Sequence, residues 1–122
     1  MSLNLTMPLP PTELKANYRT GRGWRSLVKI KEAYKQECAL ALLTFNRKTE
    51  MFDKCEMVLT FYLGKGQRAD PSDGGYWAKT MIDYLQEAMI IKSDSFACIR
   101  RFTVCMGERS SVPRIEVRIE QT

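Results

Sequence analysis

Histidine is missing from all 122 residues. That absence removes every Ser-His-Asp and Cys-His mechanism, and leaves catalysis to carboxylates, lysines, hydroxyls and a bound metal. Cysteine is sparse: Cys38, Cys55, Cys98 and Cys105 are dispersed, and none forms a Cys-x-x-Cys pair. Zinc would need all four thiolates at irregular spacing, so the cysteines are expected to be small buried hydrophobes in a reducing cytosol. Apolar runs long enough to cross a bilayer, about 20 residues, do not occur. The opening stretch, Met1 to Pro11, has neither the basic start nor the long apolar segment of a signal peptide. Internal repeats and low-complexity tracts are absent as well. What remains is an ordinary apolar share of 44% and a charged share of 27%. These suit one globular domain over residues 1–122, cytoplasmic and without a membrane partner.

The formal net charge is +5 and unevenly placed. Residues 1–50 carry nine Lys and Arg against four acids, whereas residues 70–95 carry two Lys against five acids. A basic body around an acidic patch suits a polyanion that also meets a metal ion. Solubility alone is the plainer explanation of the excess.

Hydrophobic periodicity supplies the elements. Leu3, Leu5 and Met7 alternate with polar neighbours and read as a short strand, ended by Pro8, Pro10 and Pro11. Residues 12–23 read as a basic loop, where Asn17, Tyr18, Arg19 and Arg22 suit either base stacking with phosphate contacts or a solvated surface. A helix is expected from Arg25 to Phe45, capped by Ser26, with an apolar stripe through Leu27, Ile30, Tyr34, Cys38 and Leu42. Its basic residues Arg25, Lys29, Lys31 and Lys35 suit a phosphate backbone or plain solvation. Met57 to Leu63 reads as a central strand, apolar on both sides. A second helix is expected over Tyr76–Ile90, a strand over Cys98–Met106, and a last strand around Ile115, Val117 and Ile119 that pairs with its predecessor as a hairpin. The order is β-α-β-α-β-β: an α/β (α+β) fold with two helices packed on one mixed sheet.

The candidate site follows the central strand. Asp70 and Asp73 share a loop turned by Pro71 and Gly74-Gly75, Lys79 starts the next helix, and Asp94 follows that helix. Hard cations take carboxylate oxygens, and magnesium needs only two or three carboxylates because it keeps several waters. Such an ion activates water for phosphodiester hydrolysis, and a nearby lysine holds the scissile phosphate. Each residue also has a plain role: Asp73 as a turn or cap residue, Lys79 and Asp83 as a surface ion pair, Asp94 as a loop residue. Spacing alone does not bring Asp94 to the site.

The motifs resemble those of the RusA family of Holliday junction resolvases along nearly the whole chain. Met7-Pro8-Leu9-Pro10-Pro11-Thr12 with Asn17-Tyr18-Arg19 resembles that family's opening strand, Pro-Pro-Ser step and Asn/Tyr/Arg loop. Ala33-Tyr34-Lys35 is similar to the Ala-Tyr-Arg of its first helix. Arg68-Ala69-Asp70, Lys79, Ile82-Asp83 and Leu85 resemble its Arg-Arg-Asp-x-Asp-Asn…Lys…Asp-x-Leu signature, and Ser93-Asp94-Ser95 its Asp-Asp-Ser. The resemblance implies a homodimer that cuts four-way DNA junctions in recombination and repair, inside a bacterial or phage-infected cell. It implies Mg²⁺, with Mn²⁺ as a substitute, held by Asp70, Asp73 and Asp94 with Lys79 in support. Arg19, Arg22, Arg25, Lys29, Arg68, Arg100 and Arg101 are then the expected DNA contacts, with Asn17 and Tyr18. The chain departs from the pattern at Asp70-Pro71-Ser72-Asp73. There the family's second aspartate is either replaced by Ser72 or displaced to Asp73. A junction-binding protein with weakened or lost cleavage is the alternative expectation.

Overall fold

The computed structural model describes residues 1–15, 24–43 and 51–122. The elements are β1 (Ser2–Met7), a short 3-10 turn (Thr12–Leu14), α1 (Trp24–Leu43), β2 (Cys55–Tyr62), α2 (Pro71–Trp77), α3 (Lys79–Glu87), β3 (Ile99–Met106) and β4 (Arg114–Gln121). The strands form one sheet in the order β1-β4-β2-β3. β4 is antiparallel to both β1 and β2, and β3 is parallel to β2, so the sheet is mixed and the fold is α+β.

Side-chain alternation decides which face the helices cover. Leu3, Leu5 and Met7 of β1, Ile115, Val117 and Ile119 of β4, and Met57, Leu59 and Phe61 of β2 are all buried. Tyr34 and Cys38 of α1 and Met81, Ile82 and Leu85 of α3 close over them. The intervening residues of β1, β2 and β4 stay half-buried or exposed on the other face. β2 lies between β4 and β3, which explains why a strand apolar on both sides was legible as central.

Three sequence expectations need correction. β3 and β4 do not pair as a hairpin; β4 inserts between β1 and β2. Their connection, residues 107–113, is longer than the 2–5 residues usual for hairpin loops, and it steps over the end of β2. Backbone bonds from Gly107 N–H to the Phe61 carbonyl (2.8 Å) and Ser110 N–H to the Leu63 carbonyl (2.9 Å) fasten that step. The expected second helix is two, α2 and α3, separated at the buried Ala78. It starts earlier than expected because Pro71 suits a first helical position, having no N–H to leave unpaired, and Asp70 before it is extended. Ser26 lies inside α1, so it is not the cap. The expected end of that helix at Phe45 lies outside the described residues.

α2 is pressed flat on the sheet. A Cβ at Gly74 would stand 2.6 Å from Val104 Cγ1 and 3.2 Å from a Phe61 ring carbon. Only glycine allows this approach, so the loop that carries Asp70 is held at the end of β2.

α3 stops in a Schellman arrangement. Ile90 N–H donates to the Leu85 carbonyl (2.9 Å) and Met89 N–H to the Gln86 carbonyl (3.0 Å). Met89 takes the left-handed conformation, φ 61°, that glycine usually supplies. Its side chain is 62% exposed, and glycine adopts this backbone without the steric cost a Cβ brings. Met89→Gly is therefore expected to stabilise the protein by about 1 kcal/mol, read as a rise in urea midpoint with unchanged slope.

Cys38, Cys55 and Cys98 are buried, and Cys105 is half-buried. Burial pushes the Cys38 thiol up to about 11. Burial, with the neighbouring Cys98 thiol, pushes Cys55 up to about 12. Because these folded values lie above the ordinary 9.0, the unfolded chain loses those protons first as pH rises. Stability contributed by the neutral thiols is thus complete below pH 9 and lost between about 9 and 12. Denaturant melts at pH 8 and pH 10 check this: the wild type should lose more stability than a Cys38→Ala, Cys55→Ala variant.

Candidate functional site

Lys79 is the first residue of α3, and its ammonium lies 3.5 Å from the Asp83 carboxylate. It also lies 3.8 Å from an Asp94 oxygen. Asp94 thus returns from beyond the helix to meet a residue fifteen positions earlier, the step that spacing alone did not establish. The turn that brings it back is fixed locally. Asp94 N–H donates to Gln86 Oε1 (3.2 Å), Ser95 N–H to Ser93 Oγ (3.0 Å), and the two serine hydroxyls bond at 2.8 Å. Cys98 and Ile99 N–H both donate to the Ser95 carbonyl, at 3.0 and 2.8 Å.

These ion pairs are partly exposed, with Lys79 62% open to solvent, so they add at most about 1 kcal/mol each to stability. Both separations exceed the roughly 2.7–2.9 Å of a direct charge-assisted hydrogen bond. One ammonium between two carboxylates leaves the cluster with a net charge of −1, in a chain whose net charge is +5.

Asp70 lies elsewhere. It is exposed at the start of α2 and lines a hollow with Arg68, Met106, Gly107 and Arg109, against the last part of β3. Asp94 lines a different hollow with Lys79, Ile82, Ile99 and Phe102, against the first part of β3. Asp73 is half-buried in the first turn of α2, where its N–H donates to the Asp70 carbonyl (2.9 Å). The Asp70 loop is braced from two sides. Arg109 donates to the Gly64 and Gln67 carbonyls (2.7 and 2.8 Å), and Lys15 to the Arg68 carbonyl (2.5 Å). Lys15 also lies over the Trp77 ring, 4.5 Å from its centre.

A magnesium ion needs its oxygens about 2.1 Å away. Among the described residues, no three Asp, Glu, Cys or His side chains are grouped closely enough to hold a metal. The structure brings together Lys79, Asp83 and Asp94, and does not assemble Asp70, Asp73 and Asp94 as one ligand set.

Of the expected DNA contacts, Lys29, Arg68, Arg100 and Arg101 are exposed. Asn17, Tyr18, Arg19, Arg22 and the Arg25 side chain lie outside the described residues. Lys35, read as part of a basic face, is paired with Glu87 of α3 at 2.5 Å. Sequence reasoning missed Arg109, Lys15 and Trp77 as braces of the Asp70 loop.

No protein-family model matches the chain, and no curated protein matches it. Among the described residues, no helix is long and apolar enough to cross a membrane.

Proposed function

We propose that this protein is a structure-selective endodeoxyribonuclease that cuts four-way DNA junctions as a homodimer, with Mg²⁺ or Mn²⁺ as cofactor. The observation that carries the reading is the convergence of Lys79 with Asp94, 3.8 Å apart from separate segments. These are the signature's lysine and its last acidic position, and nothing in local spacing required them to meet. In this reading the Lys79 ammonium holds a non-bridging phosphate oxygen of the scissile group, where negative charge grows as the phosphodiester is attacked. Hydrolysis adds water across one P–O bond, leaving a hydroxyl on one fragment and a phosphate on the other. Exposed Lys29, Arg68, Arg100 and Arg101 hold the flanking backbone. A two-fold dimer matches a junction whose two cut strands are related by symmetry.

A second reading, junction binding without cleavage, is favoured by the separation of Asp70 from the Lys79–Asp94 cluster.

A synthetic four-way junction, incubated with the protein with and without Mg²⁺ and run on native and denaturing gels, decides between the two. Cleavage that depends on the ion supports the nuclease. Salt-sensitive binding without nicking in Mg²⁺ or Mn²⁺ supports the binding protein. No binding at low salt overturns both.

A further inference from the structure

The helices cover one face of the sheet. On the other face Asn4, Thr6, Arg101 and Arg118 stay exposed, and among the described residues no helix packs there. The strand registers set its side chains in rows. Asn4, Arg118, Val58 and Thr103 form one row, and Thr6, Glu116, Thr60 and Cys105 the next. The middle of the face is thus mostly small and uncharged. A shallow hollow of about 450 Å³ lies there, between Thr6, Val58, Thr60, Glu116 and Arg118. The face spans four strands about 4.8 Å apart, of six to eight residues at about 3.3 Å each. Full overlap of two such faces would bury about 1,000 Å² in total, the size at which specific interfaces begin.

Charge selects the occupant. Arg101, Arg114 and Arg118 stand on this face against Glu56, Glu116 and Glu120, so it is neutral in a chain of net charge +5. A neutral face offers little to a polyanion. Along β4 the signs alternate, Arg114, Glu116, Arg118, Glu120. Reversing that row inverts every sign. Half a turn about an axis at Val117, lying in the face and across the strands, lays β4 of a second copy antiparallel on the first. Arg114 then stands opposite Glu120 of the second copy, and Glu116 opposite its Arg118. Every charge of the row meets its opposite, as a self-complementary two-fold contact requires. One copy alone leaves a defect: Glu56 and Glu120 are direct cross-strand neighbours, a like-charge pair that costs stability. Arg114 is the cation the second copy brings to it. Arg114 is held in place, with its guanidinium 4.1 Å from the Tyr62 ring centre and donating to the Val112 carbonyl at 2.9 Å.

We propose that the uncovered sheet face is a two-fold interface with a second copy of this chain, β4 packed antiparallel on β4. The inference deepens the junction reading, on which it rests for the dimer itself, by naming the surface that joins the copies. Its axis runs across the strands and leaves the dimer at the edge strand β3 of both copies. Lys79 and Asp94 lie beside Ile99 and Phe102 of β3. Both clusters therefore fall on one side of the dimer, related by the axis, as two symmetric cuts in one junction need.

Glu116→Arg, Arg118→Glu and the double variant test it by sedimentation equilibrium, with junction binding and cleavage measured on the same preparations. The two side chains are 45% and 61% exposed, so reversing their charge leaves the core untouched. Each single reversal sets like charges against each other at two symmetric places. The expected result is a loss of dimer affinity of about 100-fold or more. An equimolar mixture of the two single variants should dimerise again, since one copy presents cations where the other presents acids. The double variant should dimerise as tightly as the wild type. Recovery in the mixture separates lost pairing from lost folding. A folded double variant without dimers overturns the inference even where a single variant fails to fold. Dimers unaffected by either reversal also overturn it, and junction cleavage by the wild type would then leave the nuclease reading standing on another surface. Loss in the single variants without recovery in the mixture or the double variant overturns it as well. Dimers that follow the charge pattern without junction binding keep the inference and remove the junction reading. A monomeric wild type overturns the inference and the homodimer of the nuclease reading together.

Discussion

Lys79→Met is expected to lower junction cleavage by about 100- to 1000-fold, the cost of removing one preorganised group from developing phosphate charge. Junction affinity should stay close to wild type, because one of several cationic contacts is lost. Asp94→Asn and Asp70→Asn should each abolish cleavage with binding retained, if both carboxylates serve the reaction. Single-turnover cleavage and gel-shift affinity, measured on the same preparations, separate the two effects. The plain alternative predicts something very different. Lys79, Asp83 and Asp94 as a surface charge cluster contribute at most about 1 kcal/mol to stability and nothing to chemistry. Cleavage at wild-type rate by Lys79→Met would reduce them to that role. The three variants also report on geometry. Lys79 and Asp94 meet at 3.8 Å, whereas Asp70 lines another hollow. Loss of cleavage in the first two with wild-type cleavage in Asp70→Asn would confine the chemistry to the α3 side of the molecule.

Trp77→Ala is expected to cost about 3–5 kcal/mol, the largest stability loss proposed for a single residue of this chain. The side chain is 2% exposed and stacks on Phe61, with ring centres 5.6 Å apart and planes 12° from parallel. Its indole N–H donates to the Pro11 carbonyl at 2.9 Å, and the Lys15 ammonium lies 4.5 Å from its ring centre. The residue therefore joins the end of α2, the centre of the sheet and the segment after β1. Trp77→Phe keeps most of the apolar burial but loses the indole bond to the Pro11 carbonyl, which still accepts from Leu14 N–H at 3.1 Å, a loss of about 1 kcal/mol. Equilibrium unfolding in urea gives both values. Because Lys15 also donates to the Arg68 carbonyl at 2.5 Å, releasing it should loosen the Asp70 loop. Cleavage in Trp77→Ala, which removes the ring under Lys15, measured well below its unfolding midpoint, should fall more than that of a control variant of equal stability.

Strands, helices and their buried faces were legible because they rest on periodicity within a few residues. Leu3, Leu5 and Met7 could face only one way from a strand, and Ile115, Val117 and Ile119 likewise; all six are buried. The same local logic missed the partner of β4, since a strand's alternation names its buried face and not its neighbours. It missed the break at Ala78 because hydrogen bonding resumes on both sides: Ala78 N–H reaches the Gly74 carbonyl and Ile82 N–H the Ala78 carbonyl, each at 3.0 Å.

The sequence by itself determined the mixed helix and sheet content, the apolar faces, the buried cysteines and the limits on chemistry that follow from having no histidine. Tertiary structure alone decided that β4 separates β1 from β2, and that Asp94 comes back to Lys79 while Asp70 stays with Arg68 and Arg109. Local pattern fixes which side of an element is apolar, over distances the backbone itself sets. Which charges and rings meet across the molecule depends on how far each connecting segment travels before it is pinned, and that is set by contacts between residues far apart in the chain.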